Sequence, residues 1–294
     1  MNILTFDIEE WALEAMRKGG ARPERIVEYD RMLDKLLSIL NERNMHATCF
    51  CTGKMAVLYP QIVRRLFDNG HEIACHSNVH TWCNKMSVEQ LAEDTHAAVD
   101  ALEQCIGQKV KGYRAPAFSI TEQNPYAFEI LAQNGIEYDA SIFPVARDYG
   151  GYPSFGYDVP TRVQYNGIEV KEYPIPLMHI GKWKTAYSGG GYFRLFPYWL
   201  VRRTMNSSDY AITYFHINDL ITEPNKLMSR EAYEAYFKEP GTLINRSKRF
   251  IKSNIGTGDA MGKLCRLLRE NDFMNIATAD KQINWKTTPI VKIP

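Results

Sequence analysis

HATCFCTGKMAVLYPQIVRRLFDNGHEIAC, residues 46–75, carries the reading that decides the fold class. His46 to Cys51 reads as a short strand, Lys54 to Asn69 as a helix, and His71 to Cys75 as a second strand. Gly70 is the natural left-handed residue to close that helix. The same unit repeats on both sides. Upstream, Asn2 to Phe6 is an apolar run, and from Glu24 to Arg43 Ile26, Tyr29, Leu33, Leu36, Leu37 and Leu40 recur at the spacing of one helical face. Downstream, Ser87 with Gln90 three positions on is a capping box that opens a helix to about Ile106, with Gly107 as its stop. Lys111 to Arg114 is the next strand, Pro125 to Asn134 the next helix and Gly135 its end. Short buried strands alternating with helices predict an α/β chain with a parallel sheet, either open and doubly wound or closed into a barrel.

The middle differs. Residues 141–196 are rich in Gly, Pro and Tyr and read as long loops, with a hairpin signal at Asn166-Gly167 between Tyr157–Tyr165 and Ile168–Tyr173. Helical pattern resumes at Pro197 to Met205, Tyr210 to Phe215 is a strand, and residues 230–294 read as a helical part. There is no linker and no internal repeat, so a single domain over 1–294 is expected.

Of the 294 residues, 45% are hydrophobic and 23% charged, which suits a large buried core, and a formal charge of +1 gives no global attraction to nucleic acid or anionic lipid. The six cysteines, at 49, 51, 75, 83, 105 and 265, lack metal-module spacing and read as free thiols. No apolar stretch approaches ~18 residues and no signal peptide is visible, so no stable membrane insertion and a cytoplasmic location are expected. No protein partner is legible.

Groups able to do chemistry gather where strands end. His76-Ser-Asn-Val-His80 follows the 71–75 strand, and two imidazoles four residues apart on a turn suit a divalent metal. Asp7, Glu9 and Glu10 follow the first strand; in an extended segment Asp7 and Glu9 share a face and Glu10 points away. Tyr113-Arg114-Ala-Pro-Ala-Phe118 sets a guanidinium and a proline-stiffened turn at the end of another strand, where Arg114 suits bidentate capture of a carboxylate. Asp139 and His216 end two later strands, and an Asp–His pair tunes an imidazole as a proton donor. Gly189-Gly190-Gly191 lacks the lysine and the following helix of a phosphate loop and reads as a flexible loop over the site, with Tyr192 and Phe193 available to stack on a ligand.

In that order, over residues 3–218, the carboxylates, HSxxH, YRAPAFS, DxS and late His resemble the motif series of the polysaccharide deacetylases, carbohydrate esterase family four. Phe6-Asp-Ile-Glu-Glu-Trp11 and Ser188-Gly-Gly-Gly-Tyr-Phe-Arg194 are most similar to the branch that begins FDVEDW, associated with bacterial exopolysaccharide and surface-glycan biosynthesis. The resemblance implies a single distorted (β/α) barrel of seven strands and hydrolysis of N-acetyl groups from a carbohydrate substrate. It implies Asp7 as general base, oriented by Arg114, and His216 as general acid, its tautomer fixed by Asp139. It implies one divalent ion, zinc in first place, on His76 and His80, and an oxyanion donor near Phe118. Pro116, Phe118, Trp82 and Tyr192 are the residues expected to contact the sugar. One position departs from the family: Ile8 stands where a second aspartate is usual, so Glu9 is the expected third ligand and Glu10 the second choice. A metal-independent amidohydrolase for cyclic amides or ureides, or a silent glycan binder, is the alternative.

Overall fold

The computed structural model describes residues 1–16, 22–147, 149–181, 183–222, 226–237 and 239–294. The first strand is broken at Leu4 into β1 (Asn2–Ile3) and β2 (Thr5–Ile8), and β3 (Thr48–Cys51), β4 (Glu72–Cys75), β5 (Gly112–Tyr113) and β6 (Tyr138–Asp139) follow. Two hairpins come next, β7 (Thr161–Tyr165) with β8 (Ile168–Glu172) and β9 (Leu177–Ile180) with β10 (Trp183–Ala186). Then come β11 (Ala211–Ile212), β12 (Phe215–His216) and the terminal β13 (Ile290–Lys292).

Seven strands run parallel in the order β12-β2-β3-β4-β5-β6-β8, and β7 and β13 extend the β8 edge. This is the distorted α/β barrel expected. Among the described residues β8 and β12 share no ladder; the gap is spanned instead by Tyr210 Oη donating to Pro174 O at 2.8 Å. Strand periodicity then separates two cores. Phe50, Ala74, Tyr138, Tyr173 and Ile212 fill the interior, while Phe6, Cys49, Ile73 and Tyr113 face the helices. Gly112 makes this interior possible, because a Cβ there would lie 2.2 Å from the Tyr138 ring.

The covering helices are α1 (Glu10–Met16), α2 (Pro23–Glu42), α3 (Gly53–Leu58), α4 (Pro60–Asp68), α5 (Val88–Ile106) and α6 (Tyr126–Gln133). Beyond the hairpins lie α7 (Gly190–Leu195), α8 (Tyr198–Asn206), α9 (Arg230–Phe237), α10 (Leu243–Asn254), α11 (Ala260–Glu270) and α12 (Ile276–Gln282). The Ser87 capping box forms as read, and Gly107, with φ 71°, ends α5. All six cysteines are free thiols, and no described helix is long and apolar enough to cross a membrane.

Four readings need correction. The helix expected over 54–69 is two, because the residue before a proline is kept out of helical backbone: Tyr59 sits at φ −136°, ψ 54° and Pro60 starts a new helix. The first strand runs on to Ile8, so Asp7 lies inside it. The 141–196 stretch is not simply loop. The Asn166-Gly167 hairpin forms, and its second strand, β8, pairs with β6 as a barrel strand. The 230–294 part is helical only through α12 and then returns to the sheet as β13 beside β7.

Candidate active site

Because the barrel strands are parallel, Asp7, His76, Arg114, Asp139 and His216 all arrive at the same rim, from β2, β4, β5, β6 and β12. Asp7 and His216 are direct register partners on adjacent strands. Arg114, fully buried, donates through Nη1 to Asp7 Oδ1 and to Thr5 Oγ1, both at 2.8 Å, and through Nε to Ala140 O at 3.2 Å. One Asp7 oxygen is thereby fixed, and the other, Oδ2, lies 3.7 Å from His216 Nε2. The expected Arg114–Asp7 pair is in place.

The expected Asp139–His216 pair is not. His216 Nδ1 meets Asp219 Oδ2 at 3.1 Å, and the same oxygen accepts from His216 N at 3.2 Å. The reason is local: His216 ends its strand and a one-turn helix, Ile217–Leu220, brings Asp219 back beneath it. Asp219 is in turn held by Arg194, with Nη1 and Oδ1 3.0 Å apart. Burial alone would lower the His216 pKa, but Asp219, Asp7 and Glu9 outweigh it and push it up to about 10. Burial would raise Asp219; His216 and Arg194 hold it below the usual carboxylate range. Asp139 serves elsewhere. It accepts from Ser141 Oγ at 2.5 Å and shares a buried site with Glu172, whose own carboxyl is pushed well up by burial and by the neighbouring Asp139 charge.

The three other candidates converge as read. Glu9 Oε2 lies 2.7 Å from His80 Nε2 and 3.3 Å from His76 Nε2, and one donor atom from each residue falls within 4.8 Å of the others. Each imidazole is oriented from behind, His76 Nδ1 by Arg114 O at 2.7 Å and His80 Nδ1 by Tyr236 Oη at 2.9 Å. A carbonyl only accepts, so His76 Nδ1 donates to Arg114 O and Nε2 is the ring atom turned to Glu9. Among the described residues Glu9 Oε2 and His76 Nε2 are buried without a hydrogen bond of acceptable geometry. Burial would raise Glu9, yet His80, His76 and His216 together hold it well below the usual range. Two imidazoles, one carboxylate and orphaned donor atoms fit a divalent ion of zinc type. Glu10, the second choice, stays out of the cluster because it already opens α1: it accepts from Asn218 N at 3.0 Å, and burial pushes its carboxyl up to about 7. Ile8 is core.

The loop from His76 to His80 is tightly held. Ser77 and His80 adopt positive φ of 66° and 61°, Gly53 and Lys54 donate to Ser77 O and Asn78 O at 3.0 Å, and Asn78 N donates to Asp94. A Cβ on Gly53 would lie 2.5 Å from Asn78 Oδ1 and 2.8 Å from Ala98 Cα. Gly53→Ala is therefore expected to lower stability by about 1–3 kcal/mol, read as a fall in the urea midpoint; an unchanged midpoint would mean that the loop yields freely.

A cleft of about 230 Å³ opens over Asp7, with His76, His80 and His216 at its base and Ala117, Phe118, Arg147, Tyr192 and Tyr214 around it. Of the residues expected to meet a sugar, Phe118 and Tyr192 line it. Trp82 and Pro116 do not: Trp82 packs against Tyr149 and Phe237, and Pro116 is buried as the start of the turn Pro116–Phe118. Phe193 is core against Phe215. The Phe118 N–H is spent on Ala115 O at 3.0 Å and is not an oxyanion donor. The glycine run is no flexible loop either. Gly189 pairs beside Tyr214, where a Cβ would lie 2.2 Å from Tyr214 O, and Gly190 opens the short α7, so a helix does follow the run, contrary to expectation. The lysine of such a loop remains absent.

Sequence reasoning missed Asp219, Arg194, Tyr236 and Arg147. Arg194 closes the Ser188–Arg194 motif, and an Asp three residues past a strand-ending His is a turn signal; Tyr236 and Arg147 carry none.

Residues 3–139 match the family model described as polysaccharide deacetylase, and residues 140–281 match a domain of unknown function, DUF3473. The chain is 23% identical over 146 residues to the peptidoglycan deacetylase of Helicobacter pylori (strain ATCC 700392 / 26695), covering 50% of this chain and 48% of that one. It is 32% identical over 108 residues to the chitooligosaccharide deacetylase of Sinorhizobium fredii (strain NBRC 101917 / NGR234), covering 34% and 49%. These matches span half or less of the curated relatives' length. A solved structure from Mycobacterium smegmatis assigned to the polysaccharide deacetylases shares the fold, with a TM-score of 0.61 at 17% identity over 98% of this chain and 91% of that one. Matched sequence and shared fold agree: residues 3–139 carry a polysaccharide deacetylase domain, and the chain shares the fold of a structure assigned to that family.

Proposed function

We propose that the protein hydrolyses the acetamido group of an N-acetylated glycan or glycan precursor, with Asp7 as general base, His216 as general acid, and Glu9, His76 and His80 holding a divalent ion, zinc in first place. The observation that carries this reading is convergence at one cleft: His216 Nε2 is 3.7 Å from Asp7 Oδ2 and 3.8 Å from Glu9 Oε1. Amide hydrolysis needs a proton taken from the attacking water and one given to the departing amine. Asp7 Oδ2 is the acceptor left open once Arg114 has taken Oδ1. His216, pushed up to about 10, carries a proton at neutral pH and delivers it from Nε2, while Asp219 and Arg194 fix the ring. A divalent ion on such a triad supplies polarisation of a carbonyl and a water pKa lowered towards ~7. The Ala117 amide, in the turn that lines the cleft, is the remaining oxyanion-donor candidate. Tyr192 and Phe118 offer apolar faces to a pyranose.

Residues 1–294 are proposed to act as one catalytic unit, since β8, β12 and His216 come from the second matched segment and complete the barrel begun by the first. The likeness of Phe6–Trp11 to the FDVEDW branch supports a bacterial exopolysaccharide or surface-glycan substrate.

The reading is tested by incubating the protein with a panel of N-acetylated oligosaccharides and following free acetate together with the mass of the product. Acetate in equal amount to new amine supports it; an unchanged panel contradicts it. The choice of Asp219 over Asp139 as the partner of His216 has its own test. Asp219→Asn is expected to lower kcat by about 10²-fold or more, with KM little moved, and Asp139→Asn by less. The reverse order would return Asp139 to that role.

A further inference from the structure

Beside the catalytic rim lies a larger cleft, about 520 Å³, walled by α9 and α10. Its lining includes Arg22, Lys226, Arg246, Arg249 and Lys252, and no Asp or Glu among the described residues. Carboxylates nearby are engaged elsewhere: Glu14 is the ion-pair partner of Arg22, and Glu234, which feels Arg246, accepts from Arg230 and from Gly241 N, both at 2.9 Å.

Arg249 is the centre of this arrangement. Its guanidinium lies 3.9 Å from the Tyr149 ring centroid and 4.0 Å from that of Phe237. Two rings hold it, so the fork is positioned before any ligand arrives. Among the described residues its Nε and Nη2 are nevertheless buried with no hydrogen-bond partner, as is Nε of Arg246, whose Nη1 is fixed by Met228 O at 3.1 Å. Buried charged donors without acceptors are costly in a folded chain unless something supplies the acceptors.

The cleft adjoins the space beside the catalytic centre. Asn218 and Ser253 line it and also line the adjoining space bounded by Glu9, Arg194, His216 and Asp219. Tyr236, next to the wall residue Phe237, is the group that holds His80.

We propose that this cleft holds a phosphate or diphosphate group carried by the glycan substrate, so that the acetamido sugar reaches Asp7 and His216 while the anion seats on Arg249 and Arg246. The assignment rests on the deacetylase reading for its substrate half. Several cations and orphaned guanidinium N–H groups around one space suit a phosphoryl group, which accepts several forked bonds, better than a single carboxylate.

The test is calorimetric titration of inorganic diphosphate into the purified full chain, with glucuronate as the carboxylate probe. Wild type is expected to bind diphosphate, Arg249→Gln to bind it at least about tenfold more weakly, and His76→Ala to bind it unchanged. Lys226→Gln, at an exposed rim position, is expected to weaken binding and keeps the test decisive if Arg249→Gln does not fold. Absence of binding by wild type, equal affinity in the cleft variants, loss confined to His76→Ala, or glucuronate binding as tightly as diphosphate would each overturn the proposal. No turnover is involved, so a chain that binds diphosphate at Arg249 yet releases no acetate would sink the deacetylase reading and leave the anion site standing.

Discussion

Asp7→Asn is expected to lower acetate release by about 10²–10⁴-fold, the contribution of a positioned general base, while the metal stays. Arg114 Nη1 fixes Asp7 Oδ1 at 2.8 Å, and only Oδ2 faces the cleft and His216. An amide keeps the shape and an acceptor but cannot take up the proton. The pair is buried, and breaking a buried ion pair costs about 3–5 kcal/mol; the amide oxygen retains one hydrogen bond, so a smaller loss of stability should accompany the loss of rate. Acetate release, metal content and a melting curve on one preparation separate the effects. Unchanged turnover would place the base elsewhere.

His76→Ala and Glu9→Gln are expected to remove the metal and activity with it, whereas Glu10→Gln keeps both. Losing a direct ligand should exceed the about 10–100-fold loss of affinity that follows removal of an outer partner. Glu9 meets His80 at 2.7 Å and His76 at 3.3 Å, while Glu10 is turned to Asn218 N. With its carboxyl already pushed up to about 7 by burial, Glu10 loses little on becoming an amide. Elemental analysis of the three variants gives the answer, and retention of metal by Glu9→Gln with its loss in Glu10→Gln would reverse the assignment.

Local rules carried much of the architecture. The Ser87 box, Gly107 and Asn166-Gly167 each act within a few residues of themselves, so their chemistry alone determines the cap, the stop and the hairpin. Period-two alternation does not explain how Glu9 and Glu10 part, because the strand ends at Ile8 and Glu10 opens α1. What sequence could not carry is adjacency between distant segments. Asp139 and Asp219 both lay close to strand ends, and only the pairing of β12 with β2 and the turn after His216 decide which reaches the imidazole. Trp82 sits two residues past a metal-ligand candidate, yet its ring is drawn to Tyr149 and Phe237 from other parts of the chain. Tyr236 orients His80 from 156 positions away, a link with no local signature.

Metal content and acetate release, followed together through chelation and metal return, test the central claim most directly. One divalent ion per chain is expected, with acetate release from N-acetylated oligosaccharides lost on chelation and restored when zinc or a similar ion is returned. Full acetate release by metal-free protein would contradict the account and leave Glu9, His76 and His80 as a structural cluster.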